Sequence, residues 1–149
     1  MRNGKTIFKA AKVALISLLA FPALSCNEKK TSGKTTITAS FYPLYIMLMN
    51  ICDGADVELS MLAPSDTGCL HDYQLTTKDM QAIEESDIIV VNGLGMEDFL
   101  DKVFEAKSER TIVAGKDFIT EDGNPHIWVS VSGAIYEVDS ISHALCELD

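Results

Sequence analysis

One short stretch, Asp87-Ile88-Ile89-Val90-Val91, limits the possible folds more than any other part of the chain. A strand with one wet face alternates apolar and polar residues; this run does not alternate, and polar residues close it at both ends. It suits a strand covered on both faces, as in the interior of a parallel sheet. A sheet of that kind needs helices above and below it, and each parallel connection needs a crossover long enough to hold one.

The rest of the chain supplies those elements in alternation. Thr35 to Ser40 is β-branched and alternating, a strand, and Tyr42 to Ile51 places Leu44, Ile46, Met47, Leu48 and Ile51 at spacings of a buried helix. Asp53-Gly54-Ala55-Asp56 breaks that helix, Val57 to Ala63 reads as a second strand, and Pro64-Ser65-Asp66-Thr67-Gly68 as a loop. Thr76 or Thr77 is placed to cap a helix through Glu84, with Asp79 in its first turn. After the central run, Gly93 and Gly95 make a tight turn, Met96 to Ala106 suits a helix, and Thr111 to Ala114 a short fourth strand. Val131, Ala134, Ile135, Val138, Ile141, Leu145 and Leu148 keep a helical period to the last residues, where no C-cap is visible and the helix reads as continuing. The expected fold is α/β: a parallel four-stranded sheet flanked by helices, with functional loops at the carboxyl ends of its strands.

Charge narrows the function classes. The first 25 residues hold Arg2, Lys5, Lys9 and Lys12 and no acid, leaving eight of the 12 basic residues against all 22 acidic ones. So acidic a body argues against nucleic acid, whose phosphates need Lys and Arg, and is compatible with a cationic ligand. The basic start, the apolar run from Val13 to Phe21 and the small residues before Cys26 have the layout of an export signal over 1–25. Ala23-Leu24-Ser25-Cys26 resembles a bacterial lipobox, which makes Cys26 a lipid anchor and the polar 26–34 segment a tether.

The chain has three histidines. His71 lies in the loop after the second strand and His126 in the loop after the fourth, where an open α/β sheet presents its ligand-binding loops, and neutral imidazole is the commonest metal ligand. On spacing alone two readings stand: a pair of metal ligands, or two loop histidines bonded to backbone. His143 falls off the apolar stripe of the last helix and reads as a solvated surface residue.

Four separated segments then carry a resemblance. Ser40-Phe41-Tyr42-Pro43-Leu44; His71-Asp72-Tyr73 with Thr77-Lys78-Asp79; Asn92-Gly93-Leu94-Gly95-Met96-Glu97 with Leu100-Asp101; and Asn124-Pro125-His126-Ile127-Trp128 are similar, in this order, to the zinc and manganese solute-binding lipoproteins of bacterial ABC importers. The resemblance implies that His71 and His126 ligate the metal, that residues 35–128 are the first lobe of a two-lobed receptor, and that 129–149 begin a helical segment leading to a second lobe, absent here, with the remaining ligands. It further implies a monomeric receptor held outside the cell membrane that hands Zn²⁺, or Mn²⁺, to an ABC permease. Without further donors the pair should bind weakly, because tetrahedral zinc takes four.

Departures from the pattern keep the metal open. Leu70 stands where many relatives have Pro, and Cys69 is close enough to His71 to offer a zinc-favouring thiolate, to pair with Cys52, or simply to be buried. Asp66 and Asp72 are candidates to orient the first imidazole through its other nitrogen, and Tyr73 and Trp128 to wall the site. No nucleophile motif, His-Glu-x-x-His or complete phosphate loop occurs, so an enzyme is not expected. A surface adhesin and, behind it, a metal-dependent hydrolase are the competing functions.

Overall fold

The computed structural model describes residues 33–148 with the exception of Cys69. The proposed export signal, Cys26 and most of the tether lie outside the described residues.

Four strands form one parallel sheet in the order β2-β1-β3-β4: β1 Thr35–Ala39, β2 Val57–Met61, β3 Ile88–Val91 and β4 Thr111–Val113. The central apolar run behaves as its composition requires. Val90 packs into a core with Ile37, Ala39, Leu44, Leu48 and Ile141, while Ile89 and Val91 point the opposite way, into a second core with Leu62, Ile83 and Leu100. This is the period-two geometry of a strand with both faces covered.

Helices α1 (Tyr42–Ile51) and α4 (Val131–Leu148) cover the first face; α2 (Thr77–Glu85) and the short α3 (Asp101–Ala106) cover the second. Pro43 sits in the first turn of α1, where its missing N–H has no carbonyl to meet. Leu44 and Leu48, one turn apart, are completely buried, each contributing roughly 1.5–3 kcal/mol by removal from water. Thr76 and Asp79 form a reciprocal capping box at the start of α2, the Asp79 N–H donating to Thr76 Oγ1 at 3.3 Å and the Thr76 N–H to Asp79 Oδ2 at 2.7 Å.

The element after β3 differs from the sequence reading. The segment expected as one helix from Met96 to Ala106 is a turn, a 3₁₀ turn at Asp98–Leu100 and only then α3. The reason is Glu97, whose carboxylate folds back onto the end of β3 instead of facing out from a helix. In α4 the apolar row is buried only in its second half: Ile141 lies in the first core with Leu145 packed against it, whereas Val131 and Ile135 are 80% and 58% exposed and Gly133 and Glu137 are buried in their stead. Gly133 sets this rotation: a Cβ there would stand 2.1 Å from the Ile127 carbonyl oxygen, so α4 can approach the preceding turn only along a surface without a side chain.

That rotation buries an acid. Glu137 is 0% exposed, and neither carboxyl oxygen has a hydrogen-bond partner among the described residues. Burial, reinforced by the charge of Glu97, pushes its carboxyl up to about 7. The folded state therefore holds this proton more tightly than the unfolded chain, and stability declines as pH rises from the ordinary value of 4.5 toward about 7. Glu137→Gln is expected to raise the melting temperature by a few degrees at pH 8 and to change it little at pH 4.5; a variant no more stable than the parent at pH 8 refutes the assignment. Gly133→Ala should destabilise the fold by roughly 1–3 kcal/mol through overpacking, read from the midpoint of urea unfolding, and an unchanged midpoint would show that α4 shifts freely.

Candidate metal site

Strand order determines where the loops gather. The chain leaves β1 for β2 on one side and takes up β3 on the other, so the connections diverge between β1 and β3 at their carboxyl ends, the usual position of a ligand crevice in open parallel sheets. Glu97 laces this point shut. Its carboxylate accepts from the backbone N–H of Asn92 at 2.8 Å and of Gly93 at 2.9 Å, and from Ser40 Oγ at 2.7 Å, tying the end of β3 to the end of β1. The 92–97 turn needs a left-handed backbone, and Gly93, Leu94 and Gly95 take φ values of 79°, 57° and 81°. Burial raises the Glu97 carboxyl above its ordinary value against the pull of these three donors.

The outer strands send their loops over this floor. After β2, a 3₁₀ turn at Leu70–Asp72 carries His71, exposed, between two anchors. Leu70 is buried in the first core, and Tyr73 donates from its hydroxyl to Asp79 Oδ2 at 2.8 Å, fixing the loop to the start of α2. Burial, then the bond to Asp79 and its charge, push the Tyr73 hydroxyl up to about 12. Burial acts to raise the Asp79 carboxyl, but donors from Thr76 and Tyr73 outweigh it and hold it below its ordinary value.

After β4, the loop carrying His126 is held from both sides. The Asn124 N–H donates to Asp122 Oδ1 and the His126 N–H to Asn124 Oδ1, both at 3.0 Å. His126 Nδ1 lies 2.7 Å from the same Asn124 oxygen. Asn92, at the end of β3, donates from Nδ2 to the Pro125 carbonyl at 3.0 Å, so the loop is pinned to the sheet next to the histidine. Beyond it Ile127 is buried, and Trp128 packs edge-on against Phe41 with ring centroids 4.7 Å apart and lies 5.1 Å from the His126 ring.

The two imidazoles meet. Their ring centroids are 5.7 Å apart and their planes nearly perpendicular at 85°. Residues 55 positions apart in sequence thus share one rim of the sheet, the arrangement a bridging cation would require. Two donors are all that the described residues gather here: among them no group of three or more His, Cys, Asp or Glu side chains is arranged to hold a metal ion.

The companion residues divide. Trp128 walls the site as expected, whereas Tyr73 turns away to Asp79 and the Phe99 ring. Asp66 and Asp72 are exposed, and among the described residues neither hydrogen-bonds His71. It is the second imidazole, His126, that meets a side-chain partner, the Asn124 carboxamide, whose signal in the sequence is its place two residues before His126, the reach of an Asx turn. Ser40, Asn92 and Glu97, which build the floor, were legible only as parts of motifs. Cys52 is a free thiol, half-buried, and Cys69 lies outside the described residues. His143 is exposed on α4, 3.4 Å from Glu147, as a surface residue should be.

Comparison with known proteins agrees with this architecture. The iron-binding protein YfeA of Yersinia pestis is 30% identical over 148 residues, covering 92% of this chain and 47% of its own length. The zinc-binding lipoprotein AdcA of Streptococcus pneumoniae is 29% identical over 161 residues, covering 92% of this chain and 32% of its own. Among solved structures, the solute-binding protein FpvC of Pseudomonas aeruginosa in complex with Mn²⁺ superposes with a TM-score of 0.67 at 28% identity, over 78% of this chain and 45% of that one. The chain thus spans less than half the length of these relatives. Residues 37–149 match the family described as zinc-uptake complex component A, periplasmic (ZnuA), and with that match the chain belongs to the ZnuA family of metal-binding solute receptors.

Proposed function

We propose that the chain captures a divalent transition metal outside the cytoplasmic membrane and presents it to an ABC permease, with His71 and His126 as ligands. The observation that carries this reading is the meeting of the two rings, 5.7 Å apart, on loops that begin at opposite edges of the sheet. Each imidazole offers one nitrogen lone pair, so the pair provides half of a tetrahedral zinc shell and leaves two positions for water or further donors. The acidic body adds a field that favours cation approach. Relatives are named for iron, zinc and manganese binding, and nitrogen donors favour zinc over manganese in the affinity order of first-row metals; zinc is the principal cargo of this reading and manganese the second.

Capture exchanges water on the ion for imidazole nitrogens and makes or breaks no covalent bond of the protein. The chain acts as a receptor rather than an enzyme, a single protomer whose ion is released to the permease. Anchoring follows from Cys26, which on lipidation would hold the lobe at the membrane through the 26–34 tether. The adhesin and hydrolase alternatives have no observation in their favour among the described residues.

Calorimetric titration with zinc tests the ligand pair. His71→Ala and His126→Ala should each weaken binding by about tenfold or more, and the double variant should abolish it; parental affinity in both single variants would overturn the site. For the anchor, Cys26→Ser should move the expressed protein from the membrane fraction to the soluble fraction, and retention on membranes would overturn the lipid assignment.

A further inference from the structure

We infer that Asn124 selects the tautomer of His126, placing the ring proton on Nδ1 and leaving the Nε2 lone pair free for a metal ion. The inference rests on the proposed function for its link to metal, and on hydrogen-bond chemistry alone for the tautomer.

The Asn124 side-chain oxygen has two neighbours, the backbone N of His126 at 3.0 Å and the ring Nδ1 at 2.7 Å. A backbone N–H can only donate, so the atom facing it is the carboxamide oxygen and not the NH₂ group; the usual ambiguity of an amide flip does not arise. That oxygen can only accept. The ring nitrogen 2.7 Å away must therefore carry a hydrogen, and on the neutral imidazole this leaves Nε2 unprotonated. The intrinsic preference of a free histidine side chain in water is the reverse, with the proton on Nε2, so the protein is overriding a default.

The selector is itself held in place. Asp122 accepts the Asn124 N–H at 3.0 Å, Pro125 removes one backbone rotation between Asn124 and His126, and Asn92 fixes the Pro125 carbonyl at 3.0 Å. The Trp128 ring stands beside the imidazole, tilted by 46° with centroids 5.1 Å apart. A neutral carboxamide orients the ring without the charge that a carboxylate would add, so Asn124 sets direction more than basicity. His71 has no equivalent partner among the described residues, which makes His126 the pre-oriented half of the pair.

Two readouts test this. In ¹⁵N-labelled, metal-free protein at alkaline pH, long-range proton–nitrogen correlation spectra distinguish a protonated from an unprotonated ring nitrogen, with the His126 signals identified by their loss in His126→Ala. The expected pattern is protonated Nδ1 and bare Nε2 in the parent and in Asn124→Asp, and a shift toward protonated Nε2 in Asn124→Ala. A parent ring with protonated Nε2, or an Asn124→Ala spectrum identical to the parent, overturns the tautomer assignment. Zinc titration supplies the second readout. Asn124→Ala should raise the zinc Kd about 10–100-fold while Asn124→Asp binds at least as tightly as the parent. An Asn124→Ala variant with a shifted tautomer and parental zinc affinity overturns the link to metal. Because the spectra need no metal, failure of His126→Ala to alter zinc binding would sink the proposed ligand pair while leaving the tautomer result standing. Asn124 is exposed, so these substitutions do not empty the core.

Discussion

The architecture turns on one buried carboxylate. Glu97, 3% exposed, receives three hydrogen bonds from Ser40, Asn92 and Gly93 and has no countercharge in that set. Burying a charge is tolerable only when donors replace its water, and here they come from the ends of the two strands between which the loop connections diverge. Charge is thereby converted into position. With β1 and β3 fastened at their carboxyl ends, the backbone after β3 is forced through its left-handed turn, and Asn92 is left pointing at the neighbouring loop, where it holds Pro125. The placement of His126 is thus inherited, through two polar contacts, from an acid that never meets it.

Glu137 shows the other outcome of the same physics. It too is buried, and its charge and that of Glu97 disfavour each other, yet no donor among the described residues meets its oxygens. A carboxyl in that position relieves the cost by taking up a proton. The two acids are adjacent solutions to one problem, the first answered with donors and the second with protonation. Ser40 and Asn92 therefore do more than fill motif positions, since removing either donor would push Glu97 further toward the state of Glu137.

Much of the fold was legible because some sequence signals have only one physical solution. The run Ile88–Val91 had to be covered on both faces, and it is; α1 and α2 fall within a residue of their expected bounds because Pro43, Gly54 and the Thr76–Asp79 pair are local devices that act through the backbone. The misread parts depended on tertiary contacts. Periodicity gave α4 as a helix but not its rotation, which was decided by Gly133 against the Ile127 carbonyl, an approach no hydrophobic count contains. Glu97 looked like a helix residue because its partners are distant in sequence or lie on the backbone. Of the site, the positions of the two histidines could be read from their loops, while the partner of the His126 ring, Asn124, depended on that loop closing into an Asx turn.

The order β2-β1-β3-β4 also sets how such a chain can assemble. β1, first in sequence, is interior, and β2 and β3 both pair to it. A sheet begun on β1 would offer every other strand an open edge to join, with no formed pair to separate. Each parallel pairing also closes a loop, and β4, the shortest strand, pairs with β3 alone. The loop bearing His126 follows that strand, so the histidine's place at the rim hangs on an edge strand only three residues long.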